Sequence, residues 1–158
     1  MRFDFDPLMH KYPSRRNPIY ARGGMVNSSS PQASAAGLEA LRKGGNAMDA
    51  AVSAAAALTV TEPNSNGLGS DAFALIWSEK DQKLYGLNSS GRAPMLASIE
   101  QIKKDGHARD NKIPKYGWAP VTVPGAVKAW AEINRRFGRL SLLEDLSPAI
   151  SYAAEGYP

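Results

Sequence analysis

The sequence predicts an α/β (α+β) fold, and three observations carry that prediction. Apolar helical stretches open on Ser or Asn caps and close on glycines. Two strand-like runs, "AFALIW" and "KLYGLN", flank the polar turn "SEKDQ" and read as an antiparallel hairpin. The third is a helix made almost wholly of small residues, "AMDAAVSAAAALTV". Alanines on every side let backbones approach closely, as a helix sandwiched between a sheet and other helices requires.

The elements follow in order. Residues 1–22, rich in Pro, Arg and Tyr, show no periodicity and are expected to form an extended N-terminal arm. Residues 25–27 are expected as a short strand. Ser30 caps a helix whose first residue is Pro31, with Ala35, Ala36, Leu38 and Leu41 on its apolar face and Gly44-Gly45 as its stop. Asn46 caps the alanine-rich helix, and Asp49 in its first turn fits a capping role better than a catalytic one. Pro63 ends that helix, and Gly67 and Gly69 are expected to turn the chain into a strand over 72–77. Its two faces, Phe73, Leu75 and Trp77 against Ala72, Ala74 and Ile76, are both apolar, as in a strand buried between two layers. A second strand, 83–88, ends at "GRAP". A short helix at 99–104 and a Gly/Pro/Asn-rich connection over 105–118 lead to a helix expected to start at Pro124, with Val127, Trp130 and Ile133 inward and Gly138 as the stop. "SLLE" has capping-box spacing, and "SPAISYAAEG" reads as a further short helix with Ser147 as cap and Pro148 first. The chain finishes on Tyr157-Pro158 straight after a helix stop, so a fragment is expected.

Composition excludes several classes. The 158 residues carry 19 Lys+Arg against 15 Asp+Glu, a net +4. The basic residues are dispersed in pairs, which argues against a nucleic-acid surface. Without cysteine there is no disulfide framework and no thiolate metal site. No window approaches the apolar length needed to span a bilayer, and residues 1–20 lack an uninterrupted apolar core, so no membrane association and a cytoplasmic location are expected.

Chemistry is sparse in these residues. "NSNGLGSD" is no phosphate cradle, because a strand and not a helix follows it and no Lys comes after the glycines. His10 and His107 are isolated, without ligand partners at helical spacing, and no metal site or cofactor is expected. No Ser sits in a G-x-S-x-G elbow. Thr59, Thr61 and Thr122 read as packing residues. In "NSSGRAP", Arg92 stands at a strand exit beside a flexible Gly, where a bidentate clamp on a substrate carboxylate would be useful. A structural or surface ion pair is the other reading of Arg92, and the residues alone favour it.

From about Gly23 to Pro158 the chain resembles the N-terminal part of a gamma-glutamyltranspeptidase (gamma-glutamyltransferase). The resemblance rests on "GGNAMDAA", "EPNSNGLGSDAF", "GRAP", "VTVPGAVKAW" and "FGRLSLLEDLSPAISYAAEGYP", in the family's order. It implies an N-terminal nucleophile hydrolase, a four-layer αββα sandwich present here only as an incomplete N-terminal fragment, with residues 23–158 belonging to the large subunit. Such proteins are precursors that cleave themselves to expose a Thr nucleophile at the start of a small subunit. The Thr attacks a gamma-glutamyl amide, as in glutathione, through an acyl-enzyme. No residue here matches that Thr, so no catalytic residue is expected among the 158 and the piece alone should be inactive. The implied partners are the rest of the polypeptide, the small-molecule substrate and further copies of the processed heterodimer.

The family's R-E-x-A-P motif, whose arginine binds the glutamyl α-carboxylate, becomes "SGRAP" here. Ser90 stands at the arginine position, Gly91 at the glutamate position, and Arg92 two residues later. Two strand residues travel about 7 Å and keep the side chain on the same face. Arg92, with Ser89 and Ser90, is therefore the expected substrate-binding group of a divergent branch. The departure leaves open an acylase or amidase acting on another acyl amide, similar to cephalosporin and glutaryl acylases, and a non-catalytic family member.

Overall fold

The computed structural model describes residues 18–106, 108, 110 and 112–158. Most of the expected arm, together with His10 and His107, lies outside the described residues.

Five helices and one hairpin are seen: α1 Pro31–Arg42, α2 Ala47–Thr61, β1 Ala72–Ser78, β2 Lys83–Ser89, α3 Ile99–Lys104, α4 Ala126–Phe137 and α5 Leu142–Glu155. The caps read from the sequence form. Ser30 Oγ accepts the Ala33 amide, and Asn46 with Asp49 makes a reciprocal capping box at α2, as Ser141 with Glu144 does at α5. Gly44, at φ +92°, supplies the left-handed turn between α1 and α2. No helix among the described residues is long and apolar enough to cross a membrane.

The core gathers on α2. Val52 and Ala56 meet Ile76 of β1, Trp130 and Ile133 of α4 and Ala149 of α5. On its other side Ala57 meets Ala33 and Ala36 of α1. Small side chains allow this, since a larger residue at these positions would hold the helices apart. Gly37 shows how tight the approach is: a Cβ there would press on the Ala50 carbonyl and on Val26.

Several expectations are corrected. Residues 25–27 form no strand, having no ladder partner among the described residues. Ala35 faces solvent, and α1 buries Ala33, Ala36, Gly37 and Ala40 instead. Gly67 and Gly69 have neither positive φ nor crowding around a would-be Cβ, so that corner does not demand glycine. Helix α4 starts at Ala126, with Gly125 as N-cap, two residues after Pro124, and Val127 faces out.

No break occurs at Pro148, which sits inside a single helix, α5. The proline lacks the amide that would bond the Glu144 carbonyl. Ser147 Oγ donates to that carbonyl at 2.8 Å in its place, so the residue expected to cap a new helix repairs the existing one.

β1 and β2 pair antiparallel, from Ala72↔Ser89 to Ser78↔Lys83. Ala72, Ala74, Ile76, Tyr85 and Leu87 pack toward the helices. The other face keeps Phe73 66%, Leu75 80%, Trp77 53% and Leu84 57% exposed. Both faces are apolar as expected, but one alone is covered. A single helical layer on one sheet face is half of an αββα arrangement.

Candidate functional site

The hairpin delivers the expected site residues to one corner. Ser89 ends β2, and Ser90, Gly91 and Arg92 continue it across residues 122–125, the lead into α4. Three bonds lock the crossing. Ser89 Oγ donates to the Gly125 carbonyl at 2.8 Å, Thr122 Oγ1 to the Ser90 carbonyl at 2.9 Å, and the Val123 amide to the Arg92 carbonyl at 2.9 Å. Two glycines let the chains come this close. A Cβ on Gly91, which stands at φ +85°, would collide with the Val123 carbonyl oxygen, and one on Gly125 with the Ser89 carbonyl oxygen.

The signature loop before β1 anchors the same corner. The Ser70 carbonyl accepts both the Gly125 amide, at 3.1 Å, and the Ala126 amide, at 3.0 Å. Gly125 offers no capping side chain, so a backbone oxygen from the loop satisfies the first amides of α4. "EPNSNGLGSD" thus positions α4 against β2.

Over this crossing lies a cleft of about 570 Å³ lined by Ser89, Ser90, Arg92, Gly125, Lys128 and Glu132, among others. All three expected site residues are brought together there. They are not equivalent. Ser89 spends its hydroxyl proton on Gly125, and the Ser90 amide is taken by Asn88 Oδ1 at 3.0 Å. Arg92 is exposed and, among the described residues, makes no ion pair. Glu132 is engaged by Arg135 at 2.7 Å, and that hydrogen bond, with the guanidinium charge, holds its carboxyl below the usual range.

Sequence reasoning missed Lys128, Glu132 and the part played by Thr122, whose hydroxyl fixes the turn. Nothing local marks Lys128, an ordinary outward residue of an amphipathic helix. Thr122 meets Ser90 from 32 residues away.

A second polar centre lies at the far end of α4. Asp49, fully buried, accepts the Asn46 amide at 2.6 Å, the Arg139 amide at 3.0 Å and the Leu140 amide at 3.2 Å. Asn46 Nδ2 donates to the Phe137 carbonyl at 2.6 Å. Asp145, also fully buried, takes one bond from Asn134 Nδ2 at 2.9 Å, while its Oδ1 has no partner among the described residues. Burial, reinforced by the neighbouring Asp49 and Glu144 charges, pushes the Asp145 carboxyl up to about 6 despite the Asn134 bond. Asp49 is consumed by the fold, in keeping with the capping role read for it, whereas Asp145 keeps one buried oxygen without a partner among the described residues.

Fold and corner together define a piece of an N-terminal nucleophile hydrolase. The gamma-glutamyltranspeptidase family model matches residues 33–158, and the chain belongs to that family. The solved cephalosporin acylase from Bacillus halodurans is 56% identical with a TM-score of 0.84, over 98% of this chain and 28% of that one. The Helicobacter pylori gamma-glutamyltranspeptidase is 30% identical with a TM-score of 0.77, over 89% of this chain and 40% of that one. The glutathione hydrolase-like YwrD proenzyme of Bacillus subtilis is 40% identical over 135 residues, 85% of this chain and 25% of the relative. The chain thus spans about a quarter of the curated relatives it matches, and relatives of this kind are made as proenzymes.

Proposed function

We propose that the full-length protein bearing this chain is an amide-cleaving N-terminal nucleophile enzyme, a gamma-glutamyltransferase or hydrolase whose substrate carboxylate is held by Arg92. Ser89 and Ser90 line the same cleft. The nucleophile, a Thr exposed by self-cleavage, comes from the remainder of the polypeptide. Its hydroxyl oxygen adds to the acyl carbonyl, its own amine takes the proton and passes it to the leaving amine, and the acyl-enzyme goes to water or an acceptor amine. The processed heterodimer, in one or more copies, works in the cytoplasm on a small gamma-glutamyl donor such as glutathione.

The observation that carries this reading is an arginine without an ion pair among the described residues, at the rim of a cleft, on a turn fixed by three hydrogen bonds. A cation so placed is pre-organised for a carboxylate, since the turn pays its ordering cost on folding. The test has two parts. The full-length protein should split into two chains, the second beginning with Thr, as mass spectrometry would record. Arg92→Ala should then raise KM for a gamma-glutamyl anilide about 10- to 100-fold, the worth of a charged hydrogen bond. No self-cleavage and no Thr at the junction would overturn the reading.

A second reading, an acylase on another acid-tailed amide, is supported by the 56% identity to the cephalosporin acylase and by Ser90-Gly91 standing where the family motif has Arg-Glu. Relative turnover of glutaryl and gamma-glutamyl anilides separates the two.

A further inference from the structure

A long excursion leaves the turn after β2 and returns to the lead into α4. Its two roots are tied together: the Val123 amide donates to the Arg92 carbonyl and Thr122 Oγ1 to the Ser90 carbonyl, each at 2.9 Å. Between the roots the chain makes α3 and then runs on to Val121, and no described residue from Arg92 to Pro124 is buried. The fold fixes the roots, while the arm they carry has no core of its own.

What the arm exposes is apolar. Met95 and Leu96 stand almost fully in solvent, Trp118 keeps 90% of its surface, Tyr116 80% and Ile99 69%. The two limbs shelter a hollow of about 350 Å³ lined by Ile99, Ile102 and Ile113 among others. Soluble proteins rarely leave a patch of this kind open, and exposed Trp and Tyr are the usual anchors of an interface. The charges do not fit a lipid surface, because Lys103, Lys104, Lys112 and Lys115 are interspersed with Glu100, Asp105 and Asp110 and form no polybasic cluster.

Helix α3 narrows the choice of partner. Ser98 caps it and Gln101 Nε2 donates to Asp105 Oδ1 at 2.7 Å, yet it has six residues and buries none of them. A helix this short does not hold in water on such local bonds. Its order therefore requires a cover that is present whenever the protein is folded. A second copy supplies a cover that dilution removes, whereas the same polypeptide supplies one at a fixed effective concentration. The relatives have the length for it, since this chain spans 25% and 28% of two curated proteins that it matches.

We propose that residues 93–104 and 113–121 form a docking arm, which seats Met95, Leu96, Tyr116 and Trp118 in an apolar groove of the remainder of its own polypeptide. This rests on the reading of the chain as part of a longer proenzyme. Because the roots Arg92 and Val123 line the cleft, the groove that receives the arm borders that cleft.

The test is hydrogen exchange of the full-length protein, followed by mass spectrometry on peptides from α3 and from 113–121. In the wild type these amides are expected to exchange at least about 100-fold more slowly than an unstructured chain, at a rate that about a hundredfold dilution leaves unchanged. Trp118→Ser combined with Met95→Ser is expected to bring the arm to within about threefold of the unstructured rate while α2 and α5 keep their wild-type rates, and Trp118→Phe to retain most of the protection. Unprotected exchange of the arm in the wild type overturns the proposal, as does a substitution that leaves the arm protected. Protection that falls on dilution overturns it in favour of a second copy, and protection that appears with anionic vesicles alone does so in favour of a membrane. If the double variant does not fold, lysine cross-linking of the wild type decides: Lys103, Lys104, Lys112 and Lys115 are expected to join lysines beyond residue 158 in species of one polypeptide's mass, and cross-links confined to this region or to another copy overturn the proposal. Neither readout depends on self-cleavage or turnover, so failure of the enzymatic reading and failure of the arm are seen separately.

Discussion

The two ends of α4 are finished in opposite ways. At its C-terminal end, Asn46 and Asp49 close on the Phe137 carbonyl and on the Arg139 and Leu140 amides, with the carboxylate fully out of solvent. At its N-terminal end, a loop carbonyl satisfies the first amides, while Arg92 stands over a cleft without an ion pair among the described residues. Both ends are charged, yet in one the charge answers the protein's own backbone and in the other it is left for something else. Charge alone does not mark a site; unspent charge in a concavity does.

The largest effect is expected where the spending is complete. Asp49→Ala would leave three backbone amides, those of Asn46, Arg139 and Leu140, without their acceptor. At about 1–3 kcal/mol for each buried donor, the loss in denaturant unfolding of the full-length protein is expected to exceed about 3 kcal/mol. A loss below about 1 kcal/mol would mean that water replaces the carboxylate and that this end is as open as the other.

The next effect sharpens the same contrast through pH. Because the folded Asp145 carboxyl titrates near 6 and its ordinary value is 3.8, the native state holds a proton that the unfolded chain has released over that window. Stability from this group is therefore full below about pH 4 and is lost as pH rises through 6. The difference is at most about 3 kcal/mol at 1.36 kcal/mol for each pKa unit. Exposed carboxyls held low by hydrogen bonds, such as Glu144 by Ser141 and Glu132 by Arg135, work in the opposite direction below about pH 5. Asp145→Asn, which mimics the protonated acid, isolates the term. The variant should match wild type near pH 4 and exceed it at pH 7.5, measured as the shift in urea midpoint. Parallel curves at both pH values would show that Asp145 is ionised throughout and that its charge is compensated.

What the sequence displayed divides along the same line. Caps at Ser30, Asn46 and Ser141 were legible because each is settled within four residues of chain. Pro148 misled because its repair came from a neighbour whose serine could equally start a helix. The outer face of β1, with Phe73, Leu75 and Trp77, was legible as apolar but not as uncovered, since coverage depends on elements remote in sequence. The site was half visible. "SGRAP" exposed Arg92, whereas Lys128 enters only because bonds spanning 32 and 36 residues lay the lead into α4 over the end of β2.

The smallest stability effect belongs to the open end, and its smallness is what gives it meaning. Arg92→Ala removes an exposed side chain without an ion pair among the described residues, while the backbone bond from the Val123 amide to the Arg92 carbonyl survives any side chain. The unfolding free energy should move by less than about 0.5 kcal/mol, as for other surface changes that break no cap or core contact. Loss of substrate affinity without loss of stability is the signature of a charge held in reserve. If Arg92→Ala instead costs more than about 1 kcal/mol, the side chain is working within the fold, as the ion-pair reading of the sequence favoured.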